Sequence, residues 1–314
     1  MKILLTSTSF QDTSGEHHNL LYNLNYEIVK MRGPLCENEL LEIIDNFDCL
    51  LCGDDEITER VIEKGTKDGK LKIISKYGIG LDKIDLIAAK KFNVSVTNCP
   101  GVNKSTVAEH VFALILSFVK NIVKEDNILK SGKWERLIGN DLSKKTLGVL
   151  GTGNIGKEVV KRALAFEMNV VAYDKFPDYN FSKKVGIIYE NSFENFLKDI
   201  DFLTIHVMLN NETRNLINEN NIKFLKKKCI VINTARSEIV DQKSIINALD
   251  NNLISGYLCD VFNTEPLRTD DPIIKAKNVI LTPHIGSRTH ENIVRQGIYA
   301  VQNLIKSINE YKQN

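Results

Sequence analysis

Polar residues that can transfer protons or bind anions follow directly after short apolar runs in the C-terminal half of this sequence. Histidine titrates near neutral pH and can serve as a general base, a nearby carboxylate favours its charged form, and arginine offers a planar pair of donors to a carboxylate. In a parallel sheet the carboxyl ends of the strands meet at one edge, so we expect these groups to converge on one site. The residues in question are Asp174, His206, Arg236, Asp260, Glu265 and His284.

A glycine-rich turn within Thr146–Asp174 indicates what such a site would bind. An apolar strand leads into Gly151, Gly153 and Gly156, which have the spacing G-x-G-x-x-G, and a helical pattern follows. The first glycine permits a tight turn, the second allows the backbone to approach a pyrophosphate, and the third lets the helix pack on the strand. Strand, glycine turn, helix, second strand and final acid occur in that order, which is typical of a dinucleotide-binding unit.

Asp174 indicates which dinucleotide is bound. It follows Gly156 at about the 20-residue spacing of an acid that binds the ribose diol, and a carboxylate there would repel a 2′-phosphate. The sequence therefore predicts NAD as the cofactor, although Lys175 beside the acid would suit a phosphate.

A bound nicotinamide ring would give the polar residues at the strand ends specific roles. Hydride transfer makes or consumes a carbonyl, and the proton of the corresponding hydroxyl group needs a general base near neutral pH. We assign that role to His284, with Glu265 orienting its ring and favouring the charged form. We expect Arg236 to bind a carboxylate or a polarised carbonyl, and Asp260 to hold the nicotinamide side of the cofactor.

Strands alternate with helices along the whole chain, which indicates the α/β class with parallel sheets. The nearly continuous apolar character of the strands predicts doubly wound sheets that are covered on both faces. In the first part the predicted strands are 2–6, 27–29, 49–51, 71–75 and 94–97, with helices at 40–46 and 57–64. In the second part strands are predicted at 147–150, 170–173, 202–207, 230–234, 253–262 and 279–281, with helices at 155–168, 218–224 and 242–250.

Two long helices determine the predicted division into domains. One runs from 106 to about 130 with Ser105 as its N-cap, and the other runs from Ser287 to the C-terminus. We expect the final helix to return to the first part of the chain, so that the first domain is discontinuous. Two Rossmann-like or flavodoxin-like domains are therefore predicted, a substrate-binding domain at 1–98 plus 288–314 and an NAD-binding domain at 99–287.

Three further features of the sequence lead to specific structural expectations. Glu109 and His110 interrupt the apolar first long helix, and we expect one of them to pair at a domain or subunit interface instead of acting in catalysis. Trp134 follows that helix and is expected to pack against it. Two glycines in the segment Lys76–Asp82 follow a strand, and the N–H groups of such a loop can face an anion.

Composition and charge argue against several classes of protein. A net charge of +1 over 314 residues provides no broad field to recruit nucleic acid or an anionic membrane. No apolar stretch approaches the ~20 residues of a membrane span and no signal peptide is recognisable, so we expect a cytoplasmic protein. Six cysteines are too sparse for a disulfide scaffold. Cys49 and Cys52 form a C-x-x-C pair, which we interpret as buried strand residues, and no metal site is predicted.

The residues above make the sequence resemble the D-isomer-specific 2-hydroxyacid dehydrogenases over essentially its whole length. The resemblance rests on NTARSEIVD, DVFNTEP and LTPHIGS, together with the loop KYGIGLD, the segment 98–103 and GTGNIG. It implies a split first domain, an NAD-binding second domain and a homodimer formed mainly through the latter. It also implies that Arg236 binds the substrate, that Glu265 and His284 form the acid/base pair, and that backbone N–H groups of 78–80 hold the substrate carboxylate.

The family pattern also implies two sets of ligand contacts. The cofactor contacts beyond the three glycines would be Ile79, Asn154, Ile155, Asp174, Val207, Thr234, Ala235, Arg236, Asp260, His284 and Gly286. The substrate contacts would be Lys76, Gly78, Ile79, Gly80 and Arg236. The sequence departs from the family at Lys76, Lys83, Ser237 and Met208, where arginine, asparagine, glycine and proline are common.

Within the family, GKWER and the glycine-turn segment look most like D-3-phosphoglycerate dehydrogenases. This resemblance implies 3-phosphoglycerate and 3-phosphohydroxypyruvate as the substrate pair, in serine biosynthesis, and we expect Lys76 to support such a dianionic substrate. Too few residues follow the final helix for an ACT-type domain, so feedback control by serine through such a domain is not expected.

Two other functions are compatible with the sequence. One is a glyoxylate/hydroxypyruvate or D-lactate-type reductase, because side-chain selectivity would lie in loops of the first domain. The other is an NAD(H)-sensing binding module without turnover, which would share the fold. The presence of Arg236, Glu265 and His284 favours an enzyme, and a panel of 2-keto acids would separate the two classes.

Overall fold

The computed structural model describes residues 1–67 and 70–313. These residues form two compact units, which we call the first unit (Met1–Asn103 and Arg288–Asn314) and the second unit (Lys104–Ser287). The first unit is therefore discontinuous, as predicted. Its first boundary falls after Asn103, a few residues later than the predicted boundary after residue 98. The assignment of the substrate to the first unit stays a prediction.

The first unit contains a five-stranded sheet in which every pairing is parallel. The strand order is β2-β1-β3-β4-β5, which is the flavodoxin-like arrangement. Its strands are β1 (Lys2–Leu5), β2 (Glu27–Lys30), β3 (Cys49–Cys52), β4 (Ile73–Lys76) and β5 (Ser95–Thr97).

Strand β3 shows why the C-x-x-C pair is structural. Cys49 and Cys52 are both fully buried, and they belong to the two hydrophobic clusters on opposite faces of the sheet. Residues three apart in a strand point to opposite faces, so these two thiols do not meet. Burial raises the pKa of each thiol to about 12, which leaves it protonated and unreactive.

The second unit contains a seven-stranded sheet that is also entirely parallel. Its strands are β6 (Thr146–Leu150), β7 (Asn169–Tyr173), β8 (Ile188–Tyr189), β9 (Phe202–Ile205), β10 (Ile230–Asn233), β11 (Gly256–Cys259) and β12 (Val279–Leu281). The order β12-β11-β10-β9-β6-β7-β8 reverses direction at β6, which lies between β7 and β9. Ligands of such sheets bind beyond the carboxyl ends of the strands at this switch point.

Helices cover the faces of both sheets. They are α1 (Thr8–Asp12), α2 (Glu16–Tyr22), α3 (Glu37–Ile43), α4 (Glu59–Thr66), α5 (Leu86–Lys91), α6 (Lys104–Val119), α7 (Ile122–Lys130), α8 (Asn154–Ala165), α9 (Tyr179–Val185), α10 (Phe193–Leu197), α11 (Glu219–Ile222), α12 (Gln242–Asp250) and α13 (His290–Gln313). Short 3₁₀ turns occur at Ile44–Asn46, Ser237–Ile239 and Pro272–Lys275.

The prediction of a single long helix from 106 to about 130 is wrong, because the chain forms α6 and α7 with a bend of 56° between them. Asn121 at the junction has φ = 57°, a left-handed conformation that cannot continue a right-handed helix. Among the described residues, no single helix has both the length and the apolar composition to cross a membrane, and only this bent pair reaches them when counted together.

Helix α13 belongs to the first unit, as the discontinuous-domain prediction requires. Ser75 in β4 donates from Oγ to the carbonyl oxygen of Ala300 at 2.8 Å. Asn303 donates from Nδ2 to the carbonyl oxygen of Asn98 at 2.7 Å. The buried side chains of α13, such as Val301, complete the hydrophobic cluster on one face of the sheet.

Candidate active site

The glycine turn lies between β6 and α8 and leaves open space at the helix N-terminus. Gly151 has φ = 91°, and a Cβ there would meet the carbonyl group of His206 at 2.8 Å. A Cβ on Gly156 would lie 2.1 Å from the carbonyl oxygen of Gly151, so the helix packs too closely on the strand for a side chain. At Gly153, by contrast, no described atom outside Gly153 and its two chain neighbours lies within 4 Å of the Cβ position. Helix α8, whose N-terminus has no side-chain cap, thus begins at this uncrowded position, which we call the cradle at Gly153.

Asp174 follows β7 and is held against the glycine turn. Its Oδ2 accepts hydrogen bonds from the backbone N–H of Thr152 at 2.6 Å and from the hydroxyl of Thr152 at 2.9 Å. Its Oδ1 accepts from the N–H of Phe176 at 2.8 Å. Lys175 forms an ion pair with Glu212 at 2.6 Å, so its charge is already countered. The acid is therefore fixed beside the glycine turn.

Two observations test whether these residues fit a dinucleotide. The backbone at Gly153 is uncrowded, as the close approach of a pyrophosphate beside a helix N-terminus requires. Thr234, directly after β10, has a buried hydroxyl oxygen with no hydrogen-bond partner in the described part of the chain. A buried polar atom without a partner is costly, and a bound polar ligand would satisfy it. The residues at the glycine turn and after β10 therefore fit a bound dinucleotide.

The residues predicted from strand ends do come together at the carboxyl edge of the second sheet. Each follows the C-terminus of its strand, and all the pairings between these strands are parallel. Asn154 and Ile155 form the first turn of α8. The other second-unit residues are Asp174 after β7, Val207 after β9, Thr234, Ala235 and Arg236 after β10, Asp260 and Glu265 after β11, and His284 and Gly286 after β12.

Glu265 and His284 form an ion-pairing contact at this edge. Glu265 Oε2 lies 2.7 Å from His284 Nδ1, and its Oε1 accepts from the N–H of Phe262 at 3.0 Å. His284 has φ = 52°, a left-handed conformation that is uncommon for a residue with a side chain and is found at functional sites. A cavity of about 200 Å³ adjoins the pair, lined by Phe262, Glu265, Pro266, Leu267, Leu281, Thr282, Pro283 and His284.

Asp260 is a buried carboxylate with a dense set of hydrogen-bond donors. Its Oδ1 accepts from the hydroxyl of Thr282 at 2.6 Å and from the N–H of Ile285 at 2.9 Å. Its Oδ2 accepts from the N–H of Gly286 at 2.8 Å, and His110 Nε2 lies 3.3 Å from Oδ1. Burial opposes ionisation, but the donors from His110, Thr282 and the backbone outweigh it and hold the pKa of Asp260 below its usual value.

His110 is the residue that the sequence reasoning placed wrongly. We expected Glu109 or His110 to pair at an interface between domains or subunits, whereas His110 contacts Asp260 and Thr282 inside the second unit. Glu109 pairs with Arg162 in the same unit at 3.0 Å. The only signal in the sequence was a polar residue on an otherwise apolar helix, which does not identify a partner so far along the chain.

Arg236 lies in a turn that the side-chain amide of Asn233 stabilises by hydrogen bonds. Asn233 donates from Nδ2 to the carbonyl oxygen of Arg236 at 2.8 Å, and its Oδ1 accepts from the N–H of Ala235 at 3.0 Å. The guanidinium of Arg236 donates to the carbonyl oxygen of Ala235 at 2.8 Å.

The loop after β4 in the first unit is hydrogen-bonded to a neighbouring turn. Asn98 donates from Nδ2 to the carbonyl oxygen of Ile79 at 2.7 Å, and the N–H of Cys99 donates to the carbonyl oxygen of Gly78 at 2.8 Å. Gly78 has φ = 146°, a conformation that favours glycine. Gly80 and Asp82 complete this loop.

Lys76, at the end of β4, does not present a free charge. Its side chain is only 3% exposed, and its ammonium lies 2.6 Å from Oδ1 of Asp54. It also donates to the carbonyl oxygen of Gly53.

Comparison with known proteins identifies the family. The NAD-binding domain model of the D-isomer specific 2-hydroxyacid dehydrogenases matches residues 112–286, which is more than half of the chain. This chain belongs to that family. A member of the D-isomer specific 2-hydroxyacid dehydrogenases is an NAD-dependent oxidoreductase, so the cofactor is NAD.

Similar family members carry different substrate names. A glyoxylate reductase of Korarchaeum cryptofilum is 35% identical over 286 residues, covering 89% of this chain and 85% of that protein. A D-3-phosphoglycerate dehydrogenase of Methanocaldococcus jannaschii is 38% identical over 266 residues, covering 84% of this chain but half of that protein. A solved D-lactate dehydrogenase from Aquifex aeolicus, complexed with NAD and lactic acid, has a TM-score of 0.85 and 28% identity, with coverage of 100% of this chain and 98% of that one.

Three of the residues that depart from the expected family pattern have defined surroundings. Ser237 opens a 3₁₀ turn and its hydroxyl donates to Glu238 at 3.0 Å, so the turn after Arg236 forms without glycine. Met208 is 81% exposed beyond the end of β9. Lys83 uses its backbone carbonyl to accept from the N–H of Ile57 at 2.9 Å.

Proposed function

We propose that this chain reversibly reduces a 2-oxo acid to the D-2-hydroxy acid with NADH, and that Glu265 and His284 are its acid/base pair. The observation that carries the proposal is the 2.7 Å contact between Glu265 Oε2 and His284 Nδ1, at the sheet edge that also bears the glycine turn. A carboxylate at Nδ1 fixes the orientation of the ring and favours the imidazolium form, which is the form that can donate a proton to a carbonyl oxygen.

The chemistry assigned to the chain is proton transfer and charge stabilisation. In the reducing direction His284 donates a proton from Nε2 to the substrate oxygen, and in the oxidising direction the same nitrogen removes that proton. Glu265 stabilises the imidazolium from the Nδ1 side throughout. NAD, when bound, accepts or supplies the hydride at its nicotinamide ring. Arg236 binds the substrate carboxylate or the polarised carbonyl, where negative charge develops.

The remaining site residues hold the ligands in this proposal. Asp174 binds the ribose, Thr234 offers its buried hydroxyl, and Asp260 holds the nicotinamide side. The loop Gly78–Ile79–Gly80 of the first unit contributes N–H groups to the substrate carboxylate. The remaining assigned cofactor contacts are Ile79, Asn154, Ile155, Val207, Ala235 and Gly286.

We favour a small unphosphorylated 2-oxo acid, such as glyoxylate or hydroxypyruvate, as the substrate. The resemblance of GKWER and the glycine-turn segment pointed to 3-phosphohydroxypyruvate, and Lys76 was expected to support that dianion. The buried ammonium of Lys76 is instead paired with Asp54 at 2.6 Å, so a phosphate would have to displace a carboxylate to reach it. The Korarchaeum relative, a glyoxylate reductase, also matches along 85% of its length.

A second candidate is the 3-phosphoglycerate and 3-phosphohydroxypyruvate pair. The Methanocaldococcus relative named a D-3-phosphoglycerate dehydrogenase supports it at 38% identity. If this candidate is right, the phosphate must be bound by groups other than Lys76 in its present pairing.

A panel of 2-oxo acids tests the proposal and separates the candidates. We expect the purified protein to oxidise NADH with glyoxylate or hydroxypyruvate, and kcat/KM for hydroxypyruvate to exceed that for 3-phosphohydroxypyruvate, which differs from it by the phosphate alone. Replacing His284→Asn should lower kcat by at least about 100-fold while NADH binding, followed by fluorescence, is retained.

Other outcomes have distinct meanings. Preference for 3-phosphohydroxypyruvate, lost selectively in Lys76→Ala, would favour the second candidate. Silence of the wild-type protein across the panel, with intact NADH binding, would indicate an NAD(H)-sensing module. Turnover that survives His284→Asn would refute the assignment of the base.

We also propose that the protein is a homodimer formed through the second unit. Trp134 was expected to pack within the chain, but it is 82% exposed, and Ile138 is 94% exposed. Their segment is nevertheless held in place, since Asn121 donates to the carbonyl oxygen of Ile138 at 3.2 Å and the N–H of Leu137 donates to Glu125 at 2.6 Å. These exposed apolar side chains, together with the partly exposed apolar residues Ile122, Val123 and Leu129 of α7, favour a second copy as the partner.

A further inference from the structure

His110 connects helix α6 to the two segments that bear Asp260 and His284. Its Nε2 lies 3.0 Å from the hydroxyl oxygen of Thr282 and 3.3 Å from Oδ1 of Asp260. His110 is itself largely buried, and Asp260 is 1% exposed. The proposed chemistry gives His110 no role.

The direction of these hydrogen bonds follows from the donors available. The hydroxyl of Thr282 donates its only hydrogen to Asp260 Oδ1, at 2.6 Å. The oxygen of Thr282 can therefore only accept from His110, which requires a hydrogen on Nε2. That same hydrogen faces Asp260, so His110 donates into the pair formed by the hydroxyl and the carboxylate.

Asp260 in turn holds the backbone that follows His284. It accepts from the N–H of Ile285 at 2.9 Å and from the N–H of Gly286 at 2.8 Å. A Cβ on Gly286 would lie 2.9 Å from Asp260 Oδ2 and 3.4 Å from His110 Cδ2, so the cluster is closely packed. These bonds act directly beyond the residue whose φ of 52° needs support from its surroundings.

We infer that His110 is a positioning residue for the acid/base histidine, acting through Thr282 and Asp260 on the backbone at Ile285 and Gly286. The inference deepens the proposed function and rests on it for the role of His284. Loss of the Nε2 donor would leave Asp260 with fewer donors and a looser hold on the two N–H groups. A small displacement of a reacting group is enough to lower turnover strongly.

Two variants separate a positioning role from simple packing. His110→Phe keeps the ring volume but removes the donor, and His110→Gln restores an N–H donor of similar reach. We expect His110→Phe to lower kcat about tenfold, as the loss of a hydrogen bond to a charged group would, with KM for the 2-oxo acid within about twofold. His110→Gln should recover most of kcat.

Amide hydrogen exchange provides a readout that does not depend on turnover. In the free protein, we expect His110→Phe to speed the exchange of the Ile285 and Gly286 amides severalfold while the amides of β6 are unchanged. Packing damage alone would accelerate exchange in both places and would not be rescued by glutamine. Unchanged exchange at 285 and 286, or normal kcat in His110→Phe, would overturn the inference. A wild-type protein without turnover would refute the proposed function, while the exchange data would still decide the structural link.

Discussion

Two ionisable residues at the edge of the second sheet are kept in different charge states, Asp260 charged by its hydrogen-bond donors and His206 neutral by burial. Asp260 is buried, yet its pKa is lowered because hydroxyl, ring and backbone donors surround it. His206 receives no comparable compensation, and burial lowers its pKa to about 3, so the ring is neutral at physiological pH. The charge of Asp260 is therefore permanent in the working range, and its bonds to the backbone N–H groups persist with it.

The same reasoning at the scale of one residue gives a pH dependence for the first unit. His17 is fully buried and lies 3.1 Å from the carbonyl oxygen of Phe10, with the Phe10 ring edge-on to it at 4.5 Å. Burial lowers the pKa of His17 from 6.5, so the unfolded chain binds the proton more readily than the folded one. The contribution of the neutral, buried His17 to the stability of the first unit is fully present above about pH 6.5. It is lost as the pH falls from there towards the pKa of His17 in the folded protein.

Urea unfolding with hydrogen exchange in the first unit measures this effect. We expect the free energy of unfolding of the first unit to fall between about pH 7.5 and about pH 5.5 in the wild type. His17→Gln keeps a donor towards Phe10 but cannot be protonated, so it should show a smaller fall. An equal fall in both proteins would assign the pH dependence to other groups.

At the scale of elements, Gly153 before α8 and Gly156 in the first turn of α8 have opposite needs. Gly156 has no room for a side chain, whereas Gly153 has room and a φ of −67° that alanine adopts easily. Gly153→Ala should therefore leave thermal stability unchanged and weaken NADH binding roughly tenfold or more, about 1.4 kcal/mol, because the added methyl group occupies the pyrophosphate cradle.

Gly156→Ala is the matched structural control for that change. Its Cβ would clash with the carbonyl oxygen of Gly151, and overpacking of this kind costs about 1–3 kcal/mol of stability. Calorimetry and NADH fluorescence distinguish the two variants. If Gly153→Ala bound NADH as tightly as the wild type, the cradle would lie elsewhere.

The elements that could be predicted are those whose signals are local in the sequence. The strands of both sheets other than β8, the glycine turn and α12 at Gln242–Asp250 follow from apolar runs bounded by turn residues. The break between α6 and α7 could not be predicted, because the apolar pattern continues past Asn121 and only its backbone conformation ends the helix. The short elements α9, β8 and α10 were missed because few residues carry their periodicity.

The site divides in the same way. The convergence of Asp174, Arg236, Asp260 and His284 followed from parallel topology, since strand ends share an edge. The pairing of Lys76 with Asp54 could not be read from the sequence, because it depends on the conformations of two side chains on adjacent strand ends. The contact of His110 with Asp260 depends on how a helix lies on the sheet, which no local pattern specifies.

At the scale of the whole molecule, the proposed homodimer predicts a mass in solution of about twice 35.5 kDa by sedimentation. Introducing two charges with Trp134→Glu and Ile138→Glu should give a monomer, because buried charges without partners oppose association. Ile87 is a suitable control, since it is also strongly exposed but lies in the first unit, and Ile87→Glu should leave the mass unchanged. A monomeric wild type would refute the proposal.

The discontinuous first unit has a consequence for biosynthesis. Ser75 in β4 is bonded to Ala300 in α13, and the whole of residues 104–287 is translated between them. A ribosome therefore releases every strand of the first sheet long before it releases the helix that covers one of its faces. The second unit is continuous in the chain, so all of its residues are synthesised before α13 covers that apolar face. During this interval the apolar face of the first sheet is exposed and prone to aggregation, until translation supplies α13.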